Sequence, residues 1–233
     1  MTRQEYIKAL FNDYSLVSKL SNKNDCEVLR LRNKKYNADL ILRSYPICYS
    51  AYEELYKIEC ENLPLIYDVI NLDDGQIVLE EYINGITVAE VLQNGNYHYL
   101  GARKVLKGVC TALDLLHSKK LVHRDVKPEN IIIDKSGRVV LIDFNASRKI
   151  SNKTKDTIVM GTVGYASPEQ LGLSQSDSRT DIYATGVLFN VMLTGKHPTI
   201  FLAKGKAGKI IKKCTNLNPN DRFQTAMNLY KTL

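Results

Sequence analysis

With 233 residues, 44% of them apolar and 24% charged, the chain can bury a core and has the composition of a globular protein rather than of a disordered or fibrous one. A net charge of +7 favours acidic partners such as phosphate groups, anionic peptides or nucleic acid, and five scattered cysteines without a CxxC pair point to reduced structural thiols instead of zinc or redox chemistry. No apolar run reaches the ~18 residues that cross a bilayer, and MTRQEYIKAL lacks the uninterrupted apolar stretch of a secretory leader, so a cytoplasmic protein without a membrane segment is expected.

Between residues 15 and 83 the chain reads as short strands: SLVSKL, EVLRLR, ADLILRSY, LIYDVI and QIVLEEYI. Alternation in ADLILRSY puts Arg43 on the same face as Ile41, an unusual place for a guanidinium on a half-buried strand. Within this region only Tyr52 to Glu61 has helical spacing, with Leu55 and Ile58 on one face. After Gly85 the period lengthens. Val88 to Leu92 is followed by Leu100 to Ser118, whose Val105, Leu106, Val109, Ala112, Leu113, Leu115 and Leu116 recur at helical intervals. The expectation is an α+β chain with a small sheet-rich N-terminal lobe carrying one helix and a larger, mostly helical C-terminal lobe.

The segment LVHRDVKPENIIIDKSGRVVLIDF, residues 121 to 144, carries the chemistry. Ile131 to Ile133 and Val139 to Ile142 are strand-like and are joined by the turn Lys135-Ser136-Gly137, which makes a hairpin flanked by polar loops. Those loops gather Asp125, Lys127, Asn130 and Asp143. Two carboxylates, an amide and an ammonium suit Mg²⁺ chelation and phosphoryl chemistry, because hard cations take oxygen ligands and a loose phosphoryl transition state needs its charge neutralised.

These residues resemble the motifs of the eukaryotic-like (Hanks-type) serine/threonine protein kinases. HRDVKPEN is similar to their catalytic loop, Asp143-Phe144-Asn145 to their metal-binding DFG, and GTVGYASPE, residues 161 to 169, to the end of their activation segment. SRTDIYATGVLF resembles the large buried helix that opens near an aspartate, here Asp181, and NPNDRF supplies Arg222, which in the family pairs with the glutamate matched by Glu169. The resemblance covers roughly residues 14 to 233 and implies the bilobal kinase fold as a single domain, 1–83 as N-lobe with hinge and 84–233 as C-lobe.

It further implies ATP and Mg²⁺, with Mn²⁺ as a substitute, bound between the lobes. Asp125 would be the catalytic base, Lys127 would neutralise the transferred group, and Asn130 and Asp143 would hold the metal. Thr162 matches the threonine that contacts Asp125 and Lys127, and Arg124 matches the arginine that pairs with a phosphorylated residue of the activation segment, which contains Ser151, Thr154, Thr157 and Thr162 and in which Thr154 and Thr157 are the candidates. His123 and Phe144, with Leu55, match an internal packing spine. Asn145 stands where the family has glycine; Asn tolerates positive φ, so the turn presenting Asp143 is expected to survive.

The N-lobe departs from the pattern. Aligned on Leu20 and Val28, the glycine-rich loop reads LSNKNDCEV, with Ser21, Lys23 and Cys26 at the glycine positions. Leu40-Ile41-Leu42-Arg43 matches V-A-I-K, so Arg43 replaces the phosphate-gripping lysine and Ile41 the small residue against the adenine; both predict weaker ATP binding. LEEYINGIT resembles the hinge, which assigns Glu81 and Ile83, with Val28, to the nucleotide and puts Glu80 at the gatekeeper position. The helix glutamate that should pair with the strand lysine aligns with Ala51, with Glu53 and Glu54 just beyond. A buried Glu80 needs a cation, and Arg43 is the expected partner. Lys23 is either a solvated loop lysine or a substitute phosphate contact, as in the with-no-lysine kinases.

The resemblance therefore implies a Ser/Thr protein kinase, with a pseudokinase scaffold as the alternative and a small-molecule kinase disfavoured by HRD and GTVGYASPE. Protein substrates are expected. Lys204, Lys206, Lys209, Lys212 and Lys213 form a basic run that suits an acidic docking partner better than nucleic acid, since it lacks interleaved aromatics.

Overall fold

Thr2 starts the first helix, α1 (Arg3–Leu10): its side chain accepts the Glu5 amide while the Glu5 carboxylate accepts the Thr2 amide, satisfying two donors that a helix start otherwise leaves open. The expected N-terminal lobe does not include this helix, although the T-x-x-E spacing is present. The computed structural model describes residues 1–23, 25–150, 162, 164–171 and 176–233, the side chains of Lys23 and Leu171 excepted. The chain divides into one unit of Met1–Cys60 with Pro64–Ile83 and a second of Glu61–Leu63 with Asn84–Leu233.

In the first unit β1 (Tyr14–Lys23), β2 (Cys26–Asn33), β3 (Asp39–Tyr45), β4 (Ile66–Leu72) and β5 (Gly75–Glu81) form an antiparallel sheet in the order β1-β2-β3-β5-β4. The alternation read from the sequence sorts its side chains between two faces. Leu29, Leu31, Leu40, Leu42, Ile77 and Leu79 pack with Ile7 of α1 on one face, flanked by Tyr6, Leu10, Tyr14, Ile70 and Leu72. Each such buried side chain contributes about 1.5–3 kcal/mol before chain entropy is counted. The other face of β3 carries Ile41, Arg43 and Tyr45, all buried, and there α2 (Ser50–Leu55) lays down Tyr52, whose hydroxyl meets that of Tyr45 at 2.7 Å.

The helix expected over Tyr52 to Glu61 is therefore shorter and earlier. Tyr56 leaves helical geometry at ψ 123, Lys57 has φ 55, and the Lys57 amide donates to Ile66 O at 3.1 Å, so the chain turns into a bridge with β4 and Ile58 never joins Leu55 on a helical face. Residues 61–63 belong with the second unit because Asn62 and Arg138 tie them there: Asn62 Nδ2 donates to Val139 O at 2.7 Å, and Arg138 donates to Glu61 O and Leu63 O.

The second unit opens with β6 (Gly85–Thr87) and α3 (Val88–Gln93), where Thr87 and Glu90 form another reciprocal cap. Next come α4 (Tyr99–Ser118), β7 (Leu121–Val122), β8 (Ile131–Asp134), β9 (Val139–Leu141) and β10 (Arg148–Lys149), then α5 (Ser178–Thr194), α6 (Gly205–Cys214) and α7 (Ala226–Thr232). The strands β6, β8 and β9 make one small antiparallel sheet, and β7 with β10 another. Along α4 the apolar stripe Val105, Leu106, Val109, Ala112, Leu113 and Leu116 is buried, as the spacing predicts, while Leu115 is only half-buried. Burial surrounds most of α5, which makes it the central helix of the unit. Its Gly186 is required by packing: a Cβ there would overlap the Cys214 side chain of α6.

Candidate active site

The β8–β9 hairpin is pinned at Asp134, whose Oδ1 accepts the Ser136 amide, the Ser136 hydroxyl and the Arg138 amide at 2.6–2.9 Å. Just before β8, a short 3₁₀ turn, Pro128–Asn130, brings Asn130 back to Asp125. Asn130 Nδ2 donates to Asp125 O and to Asp125 Oδ2, each at 2.9 Å. Lys127 Nζ lies 2.7 Å from Asp125 Oδ2, and Thr162 Oγ1 donates to Oδ1 at 2.6 Å while accepting Lys127 Nζ at 2.8 Å. Burial pushes the Asp125 carboxyl up, but the hydrogen bonds from Lys127 and Thr162 more than offset it, leaving the group below the usual carboxylate range. At neutral pH Asp125 is thus an ionised, nearly buried acceptor fixed on three sides.

After β9, the Ile142 amide donates to Asn130 O at 2.9 Å, which joins the segment carrying Asp143 to the Asn130 turn. Asp143 itself takes φ 70, a left-handed conformation that aspartate tolerates better than most residues. The expectation for Asn145 needs correcting here: the positive φ falls on Asp143, two residues earlier, and Asn145 is not among the positive-φ residues.

Behind this turn a buried carboxylate organises the backbone. Asp181, in the first turn of α5, accepts the His123 amide on Oδ2 at 2.9 Å and the Arg124 amide on Oδ1 at 2.8 Å, and His117 Nε2 donates to Oδ2 at 2.8 Å. Arg124, buried and at φ 69, is held in a strained conformation by those contacts and by Gln170, whose Nε2 donates to Arg124 O at 2.9 Å. His123 is fully buried. Its Nδ1 accepts the Asp125 amide and its Nε2 donates to Ile142 O, both at 3.3 Å, so the ring is a neutral Nε2–H tautomer, and burial lowers its pKa in the same sense. The ring meets Phe144 edge-on at 5.7 Å, a packing contact. Farther along, Arg222 grips Glu169 through two bonds of 2.6 and 2.9 Å, with Thr180 Oγ1 donating to the same carboxylate at 3.0 Å.

In the first unit, Arg43 Nε donates to Glu80 Oε1 at 2.7 Å, and both side chains are buried. The register explains the meeting: Ile41 is directly opposite Glu80 and Arg43 is opposite Val78, so Arg43 and Glu80 are diagonal neighbours on one face. Val28 lies opposite Arg43 on β2, and Ile41 is buried between the strands. Arg30 and Arg32 both bind Asp39, and Arg30 stacks over Tyr82 at 4.0 Å. The Glu81 amide donates to Leu65 O at 2.9 Å, and Ile83 is buried at the end of the unit. Ala51 is buried on α2, while Glu53 accepts Asn71 Nδ2 at 2.8 Å on the surface.

The sequence matches the family described as protein kinase domain over residues 14–215. The chain belongs to the protein kinase family. Among its relatives, serine/threonine-protein kinase D of Synechocystis sp. is 29% identical over 225 residues, covering 86% of this chain and 44% of that protein. Serine/threonine-protein kinase PrkC of Bacillus subtilis is 35% identical over 140 residues, 59% of this chain and 22% of the relative. Serine/threonine-protein kinase PknB of Mycolicibacterium smegmatis is 32% identical over 177 residues, 74% of this chain and 26% of the relative. Each of these relatives is named as a serine/threonine-protein kinase, and the chain spans less than half the length of each of them.

Within the second unit of this kinase, Asp125, Lys127, Asn130 and Thr162 form one hydrogen-bonded group; within the first, Arg43 and Glu80 form another. Ser151, Thr154 and Thr157 lie outside the described residues, as does the side chain of Lys23. Three supporting residues escaped the sequence reading. Gln170 and Thr180 each sit one position from a recognised residue, Glu169 and Asp181, and that adjacency was the available signal. His117, at the end of α4, gives no signal in sequence because its partner Asp181 is 64 residues away.

Proposed function

We propose that this kinase transfers the γ-phosphoryl group of ATP to serine and threonine hydroxyls of protein substrates in the cytoplasm, using Mg²⁺ with Mn²⁺ as a substitute, and that residues 1–233 act as one kinase domain with lobes at 1–83 and 84–233. The observation that carries this reading is Asp125, ionised and oriented by Lys127, Thr162 and Asn130 at 2.6–2.9 Å. In the proposed reaction Asp125 orients the incoming hydroxyl and accepts its proton, and Lys127 stands beside it to balance charge on the transferred group. Asn130 spends both Nδ2 bonds on Asp125, which leaves its side-chain oxygen Oδ1 as the ligand for a hard cation, with Asp143 as the carboxylate ligand. When bound, the metal neutralises the phosphate oxygens during transfer. Among the described residues no helix is long and apolar enough to cross a membrane.

The altered N-lobe fits a relocated ion pair. Arg43 keeps a cation at the lysine position, and Glu80 of β5 takes the partner role that Ala51 of α2 lacks. Glu81, Ile83, Val28 and Ile41 are proposed to contact the nucleotide, with affinity reduced by the bulk of Ile41. The deciding experiment measures Mg²⁺-dependent transfer from labelled ATP to the protein itself and to a generic basic protein. Transfer abolished by Asp125→Asn supports the assignment. Transfer that survives in Asp125→Asn overturns it, and absence of both transfer and a thermal shift with MgATP identifies the pseudokinase scaffold.

A further inference from the structure

From Gly195 to Asn220 the chain holds six lysines and no acidic residue. Four of them, Lys206, Lys209, Lys212 and Lys213, are exposed on α6, whose opposite side buries Ala207, Ile210, Ile211 and Cys214. At 3.6 residues per turn, Lys206, Lys209 and Lys213 fall within one narrow arc and form a stripe ~10 Å long. Lys204 and Lys206 sit at the start of the helix, where no side chain caps it and no acidic residue lies in the first turn. Cations at the positive end of a helix dipole oppose stability, so these positions are not explained by the needs of the helix.

The loop leading into α6 presents apolar side chains in the same neighbourhood. Ile200 is 74% exposed, Phe201 48% and Leu202 39%. The display is enforced from below by Asn190, a fully buried residue of α5. Its Nδ2 donates to Lys196 O at 2.8 Å and Phe201 O at 2.7 Å, and its Oδ1 accepts the Ala203 amide at 2.9 Å. Thr194 Oγ1 adds bonds with the carbonyl and amide of Lys196, and the Ile200 and Phe201 amides both donate to His197 O. With its backbone fastened at both ends, the loop turns Ile200, Phe201 and Leu202 outward. A contiguous exposed apolar group beside a basic stripe is the mark of an interaction surface more than of a solvated face.

We infer that the Ile200–Leu202 loop and the lysine stripe of α6 form a docking surface for an acidic protein segment that carries an apolar residue ahead of a run of carboxylates. The charge is complementary, the stripe is linear, and the apolar anchor lies at its N-terminal end. A linear partner with one hydrophobic end fits that order. Nucleic acid would call for several exposed aromatic rings interleaved with the lysines; beside the stripe are the exposed ring of Phe201 and the buried ring of Phe223 under Lys213, and no aromatic residue stands between Lys206 and Lys213. The inference does not depend on phosphoryl transfer.

A direct test uses fluorescence anisotropy of the full chain with a short labelled peptide in which a Phe-Leu pair precedes consecutive glutamates. Binding should weaken with added salt, fall at least ~10-fold in Lys206→Glu/Lys209→Glu/Lys213→Glu, and fall several-fold in Ile200→Ser/Phe201→Ser. If charge reversal disturbs folding, as judged by circular dichroism, the Lys→Gln triple variant carries the same expectation. Binding unchanged in both variants overturns the inference. So does tighter binding of a single-stranded oligonucleotide, or of phosphatidylserine vesicles, than of the peptide through the same lysines, because the surface would then serve nucleic acid or membrane.

Discussion

Replacing Glu80 by leucine isolates the ion pair on which the altered N-lobe rests. Arg43 is 7% exposed and Glu80 1%, and a charge-assisted bond of 2.7 Å joins them, so removal of the carboxylate takes a charged partner away from a guanidinium with little access to water. With the charge centres ~4 Å apart and an effective dielectric of ~20, the direct attraction is ~4 kcal/mol. Breaking one side of a buried pair typically costs about 3–5 kcal/mol, in line with that figure. For a chain of this length each kcal/mol lowers the melting midpoint by ~2–4 °C, which predicts a fall of roughly 6–20 °C for Glu80→Leu. The double variant Arg43→Met/Glu80→Leu replaces both charges by apolar groups of similar volume and should regain most of the loss. Thermal denaturation followed by circular dichroism, with the single and double variants combined into a cycle, reads the coupling directly. A Glu80→Leu variant as stable as the parent, or a double variant no better than Glu80→Leu, would refute the argument that burial makes the pair obligatory.

Asp39 sets an acid limit on the first unit. The hydrogen bond from Arg32, opposed by burial and joined by Arg30, holds its carboxyl down at about 2 against an ordinary 3.8. Because the unfolded chain takes up the proton first, the stabilisation is complete above pH ~4 and lost as pH falls toward 2; Asp39→Asn should be less stable at pH 7 and lose less on acidification through that window, as read by urea unfolding at several pH values. Arg222→Met leaves Glu169 buried without its cation and should cost about 3–5 kcal/mol, with unchanged urea stability counting against a structural role for the pair. Thiol titration of the native protein should label exposed Cys48 rapidly and spare Cys110 and Cys214, whose thiols burial pushes upward, to about 12 for Cys110, until denaturant is added. Prompt labelling of Cys110 or Cys214 in the folded protein would show that the α4–α5–α6 core is open to reagent.

Much of the second unit was legible because its signals are local. The β8–β9 hairpin announces itself by two apolar runs around Lys135-Ser136-Gly137, and the 3.6-residue stripe of α4 is long enough to be unambiguous. The unread parts are set by contacts distant in sequence. Tyr52 to Glu61 has a helical pattern, yet the bridge between Tyr56 and Ile66 ends the helix, and nothing local to residues 52–61 records that competitor. The left-handed turn at Asp143 and the strained Arg124 follow from hydrogen bonds to Asn130, Asp181 and Gln170, so inspection of Asn145 alone assigns the unusual φ to the wrong residue.

Arg43 shows how a departure from a family pattern becomes coherent once strand register is known. Read along β3, arginine for lysine and isoleucine for a small residue are separate losses, and the alanine at position 51 is a third. Read across the sheet, the Ile41–Glu80 pairing places a carboxylate diagonal to Arg43, close enough for a 2.7 Å bond. An arginine reaches that diagonal with the Nε of a planar guanidinium, a geometry a lysine ammonium does not reproduce. The carboxylate on β5 and the guanidinium on β3 therefore support each other, since burying either charge is costly without a partner of opposite sign. On this argument Arg43→Lys, although it preserves charge, should weaken the pair, and joining it to Glu80→Leu should not restore the stability that Arg43→Met with Glu80→Leu recovers.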